Sequence, residues 1–271
     1  MHKVHIRDLN FFSEKYPDRP NSYFKWVWDR QPQDNDITVF TDKFLHEAKS
    51  NKSRIKVAWI LEPPVIDPKV YALIKSEYQH FDMIFTYCEN LLPISKKFRY
   101  LPYGTTWVHE GQRGIPKAKS SLINTIVSQK RIVEGHKLRH AIVDRYGDRM
   151  VVLGHGYRPI PNKFVGLADF MYSITVENCR VNSYFSEKLL DCFLTGTVPI
   201  YWGFPKVSAL FDPEGVITFT SIDEIEGILK GLSKEDYSRR SNAIHKNYQT
   251  ALEYIDLEKW LWRNGLRSFC E

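Results

Sequence analysis

The chemically richest segment of the chain leaves an apolar stretch, crosses a polar loop and enters a helix-like stretch. The loop carries Glu177, Asn178 and Tyr184, and the helix pattern begins with Glu187 and Lys188. Backbone N–H groups in a first helical turn attract an anion, and Lys188 adds a full positive charge there. Such a loop can hold a diphosphate with a base or ribose without a metal ion. An isolated Glu-Lys pair is more often a solvated ion pair, so this interpretation depends on the surrounding pattern.

Strand-like and helix-like patterns alternate around this segment. Strands are predicted over residues 37–40, 55–61, 83–87, 98–101, 122–127, 150–153, 172–176 and 198–202. Helices are predicted over residues 43–49, 69–79, 135–146, 187–194 and 257–267, with others beginning near Ser221 and Ser233. Gly196 is expected to end the helix that contains Lys188. This alternation favours parallel sheets covered on both faces, with ligands at the carboxyl ends of the strands.

The charge balance narrows the class of partner. The chain has 38 Lys and Arg against 32 Asp and Glu, a net charge of +6 with a pI near 9.0. A basic balance suits an anionic partner, although a lysine-rich surface explains it equally well. The longest basic runs are pairs, Lys96-Lys97 and Arg239-Arg240, which argues against nucleic acid as the partner.

Cysteine usage and hydropathy bear on location. The four cysteines are Cys88, Cys179, Cys192 and Cys270, and no two form a C-x-x-C pair. We expect free thiols in a reducing compartment and therefore a cytoplasmic location. The polar stretch 1–21 does not read as a signal peptide, and no stretch has the length and apolarity of a membrane span, which leaves only peripheral membrane contact open.

The segment around Lys188 resembles the donor-binding motif of the α-1,3-fucosyltransferases of glycosyltransferase family 10. The family pattern is Phe-Glu-Asn at a strand end, a loop ending in Tyr-x-Thr-Glu-Lys, a helix, and a Gly-Thr-Val-Pro-Val-x-x-Gly strand. The corresponding residues here are 176–178, 184–188 and 196–203. Val176 replaces the Phe and Ser186 replaces the Thr, and both changes are mild.

The resemblance extends outward over residues 55–219. In the family, a strand ending in Ser precedes a helix whose Arg contacts the donor diphosphate, and Ser128 and Arg139 occupy those places. An Arg fork suits phosphate oxygens. The family also places a catalytic Glu just after a strand of the N-terminal half, where this chain has Glu62 followed by two prolines.

The resemblance implies a GT-B architecture, in which two Rossmann-like domains face each other across a cleft. A stretch rich in Gly, Lys and Pro, residues 111–119, predicts the domain boundary. Residues 1–115 would form the acceptor-side domain and residues 116–250 the nucleotide-sugar domain. The last segment, 251–271, would be a helix that packs back toward the first domain.

The resemblance also implies a reaction, the inverting transfer of fucose from GDP-fucose to a hydroxyl of a glycan acceptor. Glu62 would be the base, and Arg139 and Lys188 would stabilise the leaving diphosphate in place of a metal, so no cofactor is expected. The other expected donor-binding residues are Ser128, Glu177, Asn178, Tyr184 and Glu187.

Two alternatives remain: a transferase of the same fold that uses another nucleotide sugar, and a non-catalytic nucleotide-sugar or glycan-binding module. Glu62 favours an enzyme, because a binding module has no need of a carboxylate at that strand end. Asp34-Asn35-Asp36 has the D-x-D spacing of metal-dependent glycosyltransferases but lies far from the donor segment in sequence. Gly154-His155-Gly156 fits a tight turn at least as well as a phosphate loop.

Overall fold

Two parallel β-sheets organise the residues that the computed structural model describes, 1–8 and 23–271. The chain divides into two compact units, the first formed by Met1–Tyr103 with Leu257–Glu271 and the second by Gly104–Asp256. The predicted α/β class with two Rossmann-like parts is confirmed. Within the described ranges, no helix is long and apolar enough to cross a membrane.

The first unit is built on a six-stranded sheet. Its strands are β1 (Lys3–Arg7), β2 (Lys25–Trp28), β3 (Ile37–Thr41), β4 (Ile55–Ile60), β5 (Met83–Thr86) and β6 (Phe98–Tyr100). They pair in the order β2-β1-β3-β4-β5-β6, and every pairing is parallel. The apolar run predicted as a buried strand is β4, which is buried from Val57 onward.

Helices and short 3₁₀ turns connect and cover this sheet. The 3₁₀ segments are Asp42–Lys49, Tyr78–His80 and Glu89–Ile94, and the helices are α1 (Pro68–Glu77), α8 (Leu257–Leu261) and α9 (Arg267–Cys270), with a π-helical turn over Trp262–Leu266. Asp67 caps α1 by accepting the N–H of Val70, and Pro68 occupies the first helical position. The core on this side includes Phe40, Ala58 and Ile74.

The sequence did not predict β1 and β2. The strand β1 contains Arg7, a residue that rarely lies in a buried strand. In the structure Arg7 is buried because Glu47 accepts two of its N–H groups, from Nε at 2.7 Å and from Nη2 at 2.6 Å. The compensating partner is distant in sequence, so local patterning could not reveal it.

The second unit is built on a five-stranded sheet. Its strands are β7 (Ser121–Ile126), β8 (Val151–Leu153), β9 (Phe170–Val176), β10 (Val198–Trp202) and β11 (Ile217–Thr218). They pair in parallel in the order β11-β10-β9-β7-β8. All seven residues of β9 are buried.

Both faces of this sheet are covered. The helices are α2 (Glu134–Tyr146), α3 (Lys163–Leu167), α4 (Glu187–Leu194), α5 (Glu224–Gly231), α6 (Lys234–Arg239) and α7 (Ser241–Tyr254). One apolar cluster joins α2 and α5 to the sheet, and a second joins α4 to α7. The helix α4 has the predicted bounds, and Gly196 follows it at φ +64°, a conformation that glycine adopts without strain.

The Gly-, Lys- and Pro-rich stretch 111–119 lies within the second unit. The N–H of Gly114 donates to the carbonyl of Leu194 at 2.9 Å. The buried ammonium of Lys119 donates to the carbonyls of Ala168 at 2.8 Å and Thr195 at 2.9 Å. Burial lowers the pKa of Lys119 to about 7. These contacts anchor a stretch that has the composition of a linker, and the observed division falls before it, at residues 103/104.

A buried acid anchors another loop of the same unit. Asp191 on α4 has no exposed surface, and its Oδ1 accepts the Thr106 hydroxyl at 2.6 Å and the Trp107 N–H at 3.0 Å. Its Oδ2 makes no hydrogen bond to the described residues. Burial raises the pKa of Asp191 to about 7, because the charged form loses its hydration.

This raised pKa predicts a pH dependence of stability. Between pH ~4 and pH ~7 the folded state holds a proton on Asp191 that the unfolded state has lost, so the contribution of Asp191 to stability falls as pH rises, by up to about 1.4 kcal/mol per unit. Asp191→Asn removes this titration and keeps an oxygen for Thr106. The free energy of unfolding in urea would be measured for both proteins at pH 5 and pH 8. From pH 5 to pH 8, it should fall more for wild type than for Asp191→Asn. An equal difference at both pH values would contradict the assignment.

Candidate functional site

The site candidates of the second unit gather at the carboxyl end of β9. The strand ends at Val176, Glu177 and Asn178 follow it, and the loop leads into α4 at Glu187. The amino end of α2 reaches the same place, since the N–H of Gly135 donates to the carbonyl of Asn178 at 3.1 Å. Two helix amino termini and one strand end therefore meet here, as expected for a ligand site in a parallel sheet.

A buried carboxylate holds the loop in place. Glu177 has no exposed surface. Its Oε1 accepts the backbone N–H of Ser186 at 2.8 Å, and its Oε2 accepts the Ser186 hydroxyl at 2.6 Å. The Tyr201 hydroxyl on β10 donates to Oε1 at 3.4 Å, and burial together with the Glu177 charge raises the pKa of Tyr201. These contacts fix Ser186, which is the N-cap of α4, to the end of β9.

Lys188 lies beside the Glu177–Ser186 hydrogen bonds, which we call the Glu177 clamp, and is surrounded by oxygens. Its Nζ donates to Ser186 Oγ at 3.0 Å and to Glu187 Oε1 at 2.9 Å, and lies 3.7 Å from Glu177 Oε2. Burial disfavours the charged form of Glu187, but the Lys188 ammonium outweighs burial and holds the pKa of Glu187 at about 2. For Lys188, burial likewise opposes the charge, and Glu187 and Glu177 raise its pKa nonetheless. At neutral pH the pair is fully charged.

Arg139 reaches the same edge from α2. Its guanidinium is buried and donates to the carbonyl of Val176, from Nε at 2.9 Å and from Nη2 at 2.6 Å. Nη2 also donates to Asn178 Oδ1 at 3.1 Å. Burial lowers the pKa of Arg139, but a guanidinium stays charged in proteins. Arg139 therefore brings a permanent positive charge to the strand end and holds Asn178 beside it.

Tyr184 and Ser128 are the two other residues that we expect to bind the nucleotide-sugar donor. Tyr184 is 1% exposed, and its phenol is close enough to act electrostatically on Arg139. Ser128 is half-buried and follows β7 by two residues, at the carboxyl edge of the sheet. No hydrogen bond between described side chains ties Ser128 to Arg139 or Asn178.

Sequence reasoning missed His136. This side chain on α2 is buried, and its Nδ1 accepts the N–H of Val133 at 3.5 Å, which requires that nitrogen to be unprotonated. Burial, reinforced by the charges of Arg139 and Lys130, lowers the pKa of His136 to about 4. The imidazole is neutral at pH 7, so it adds a hydrogen-bonding group to the site without charge. Its position one turn before Arg139 was the available signal.

Sequence reasoning also missed the role of two glycines. A Cβ on Gly135 would lie 1.8 Å from the carbonyl oxygen of Glu177. A Cβ on Gly203 would lie 2.4 Å from the Tyr201 hydroxyl and 2.6 Å from Glu177 Cγ. A side chain at either position would collide with Glu177 or its surroundings. Glycine is therefore needed at both positions for steric reasons.

Glu62 belongs to the first unit, where it follows β4 by two residues and is half-buried. Its N–H donates to the Asp42 carboxylate, at 3.4 Å from Oδ1 and 3.3 Å from Oδ2. Its carbonyl accepts the Tyr71 hydroxyl at 3.0 Å. The structure thus places Glu62 at the carboxyl edge of its sheet, as the sequence predicts.

The D-x-D spacing serves local structure. Asp34 accepts the N–H of Lys52 at 2.7 Å, and Asp36 pairs with Arg54. Among residues 1–8 and 23–271, no three His, Cys, Asp or Glu side chains are grouped to hold a metal ion. Gly154 and Gly156 have φ of +110° and +91°, the geometry of the tight turn.

The close approach of α2 to Glu177 predicts the effect of Gly135→Ala. The added methyl must push the helix and the loop apart, which we expect to lower stability by about 1–3 kcal/mol. Gly227→Ala is the matched control, because Gly227 lies exposed inside α5 with open space at its Cβ. That control should gain about 0.5–1 kcal/mol from helix propensity. Melting temperatures that rise in both variants would contradict the packing described here.

The sequence resembles a known enzyme over part of its length. It is 27% identical over 112 residues to the α-(1,3)-fucosyltransferase FucT of Helicobacter pylori, which covers 40% of this chain and 22% of that protein. The match therefore spans about a fifth of the relative's length. No family model matches the chain.

The fold resembles solved structures over almost the whole chain. The crystal structure of an α1,3-fucosyltransferase with GDP superposes with a TM-score of 0.60 and 15% identity, covering 97% of this chain and 91% of that one. The form with GDP-fucose gives a TM-score of 0.59 over the same shares. An α-glucosyltransferase with UDP-glucose and DNA gives 0.56 at 11% identity, covering 87% and 80%. This chain therefore has a GT-B glycosyltransferase fold and is fucosyltransferase-like in fold and partial sequence.

Proposed function

We propose that this chain is an inverting glycosyltransferase that transfers fucose from GDP-fucose to a hydroxyl of a glycan acceptor. The observation that carries the proposal is the meeting of Arg139, Lys188 and two helix amino termini at the end of β9. That arrangement lies within the segment that resembles the fucosyltransferase donor motif. It also lies in a fold shared with structures that hold GDP and GDP-fucose.

The donor diphosphate would be bound by cations instead of a metal. Arg139 has guanidinium N–H groups beyond those that hold Val176 and Asn178, and its fork geometry suits phosphate oxygens. In the structure Lys188 is paired with Glu187. Binding would transfer part of this pairing to the diphosphate, and Glu187 would then accept hydroxyl groups of the sugar or ribose. Asn178, Tyr184 and Ser128 would complete the contacts.

Glu177 would act on the donor through the loop. Both of its oxygens are used by Ser186, and none of its surface is exposed. Its contribution is to fix the N-cap of α4, and with it the backbone N–H groups that face the phosphate. This refines the expectation of a direct contact.

In the transfer step Glu62 would take the proton of the acceptor hydroxyl as the oxygen attacks the anomeric carbon. The bond from that carbon to the diphosphate breaks, and GDP leaves with the bonding electrons. Charge grows on the leaving phosphate, where Arg139 and Lys188 stabilise it. Attack opposite the leaving group inverts the anomeric configuration.

A transferase for another nucleotide sugar is the second candidate, because a structure with UDP-glucose shares the fold. A non-catalytic binding module would not need Glu62. The four cysteines are free in the structure, which supports the proposal of a reducing, cytoplasmic setting.

The proposal predicts which nucleotides bind. GDP and GDP-fucose should raise the melting temperature more than UDP, UDP-glucose or ADP do, since a ligand at 100 times its Kd adds about 2.7 kcal/mol. The shift should be the same in EDTA and in Mg²⁺, because Arg139 and Lys188 supply the charge. A larger shift with UDP compounds would rule out fucose transfer as the function but would not change the assigned fold.

A second prediction separates binding from chemistry. Lys188→Ala and Arg139→Ala should weaken GDP binding and slow transfer together. Glu62→Gln should leave GDP binding unchanged and lower kcat by about 10²–10⁴-fold, the usual contribution of a general base. Glu89→Gln, an exposed acid of the same unit, is the control and should keep wild-type kcat. A Glu62→Gln kcat within about threefold of wild type would disqualify Glu62 as the base.

A further inference from the structure

We infer that Asp42 is a positioning residue for Glu62, holding the end of β4 so that the Glu62 side chain leaves the sheet in one direction. The inference rests on the proposed function of Glu62. Asp42 directly follows β3, the strand that neighbours β4 in the sheet. Its role would be to join the carboxyl ends of these two strands where the backbone ladder stops.

The contacts of Asp42 reach two consecutive backbone groups. Its Oδ1 accepts the N–H of Leu61 at 2.9 Å, and both of its oxygens lie within 3.4 Å of the N–H of Glu62. The next peptide group is held as well, since Tyr71 donates its hydroxyl to the Glu62 carbonyl. Tyr71 is itself 3.1 Å from the buried hydroxyl of Tyr87. Both backbone polar groups of Glu62 are therefore fixed by side chains.

The backbone of Asp42 is strained to make these contacts. Its φ is +29°, and in the described chain only Ser183 is another non-glycine residue with positive φ. Such a conformation is unfavourable and persists only where the surrounding structure holds it in place. Glycine would adopt it more easily but has no carboxylate. The Asp42 carboxylate is what makes the hydrogen bonds to Leu61 and Glu62.

Charge adds a second link between the two acids. Burial, together with the negative charges of Glu62 and Asp8, raises the pKa of Asp42 to about 7. Asp8 accepts the Thr41 hydroxyl at 2.6 Å, so it also lies at this edge of the sheet. Near neutral pH a proton on Asp42 limits the repulsion that Glu62 would otherwise experience.

The test compares two substitutions at Asp42. Asp42→Asn keeps an oxygen that can accept both N–H groups, and Asn tolerates positive φ. Asp42→Gly relieves the strain but removes the acceptor. We expect Asp42→Gly to lower kcat about 10- to 100-fold with GDP affinity unchanged, and Asp42→Asn to stay within about threefold of wild type.

The matched control lies at the other end of the same strand. Asp82 accepts the N–H of Lys56 at 2.8 Å, so Asp82→Gly also removes a carboxylate that caps β4. It should lower the melting temperature without lowering kcat. A kcat loss in Asp82→Gly equal to that in Asp42→Gly would reduce Asp42 to a general stabiliser and overturn the inference.

Two further measurements isolate the link to Glu62. Asp42→Gly combined with Glu62→Gln should be no slower than Glu62→Gln alone, and additive losses would overturn the inference. Amide hydrogen exchange should be faster at Leu61 and Glu62 in Asp42→Gly than in Asp42→Asn, and equal rates would also overturn it. Exchange does not require turnover. A wild-type protein with no fucose transfer would therefore refute the proposed function, while the exchange result would still decide whether Asp42 holds this backbone.

Discussion

The hydrogen bonds between buried Glu177 and Ser186 are the constraint on which the second unit's site depends. A carboxylate with no exposed surface is costly unless its oxygens are satisfied, and Ser186 supplies both an N–H and an O–H. Because Ser186 is the N-cap of α4, this compensation also fixes where the helix begins. Lys188 follows two residues later and is placed beside the same carboxylate. The position of Lys188 at the start of α4 is thus a consequence of burying Glu177.

The helix α2 packs tightly against the Glu177 clamp. The helix α2 approaches so closely at Gly135 that the backbone of the loop takes the place of a side chain. The same approach brings Arg139 to the carbonyl of Val176 and to Asn178. Hydrogen bonds and steric contact therefore act on the same few atoms. Protein oxygens hold both cations, so the fold itself fixes where the positive charges lie.

The sequence predicted the parts of this arrangement that are local. The limits of α4 and β10 were predicted from the local pattern, with Gly196 marking the end of α4, whereas Asn178, Arg139 and Lys188 were chosen from the resemblance to the fucosyltransferase motif. Features that depend on distant partners could not be predicted. The strand β1 contains Arg7, whose burial makes sense only once Glu47 is seen opposite it. The steric role of Gly135 and the contacts of Asp42 likewise need the neighbouring element in place.

The first unit is discontinuous in sequence, since it takes in Leu257–Glu271 as well as the amino-terminal residues. Trp26 on β2 donates its indole N–H to Glu258 at 3.1 Å, and Phe24 stacks on Trp262. During synthesis the ribosome must release the whole second unit before these partners exist. The second unit can then fold while the aromatic surface near Phe24 is still uncovered. The first unit can therefore be completed only after residues 257–271 have been synthesised, and until then its partly covered aromatic surface is exposed to chaperones and to aggregation.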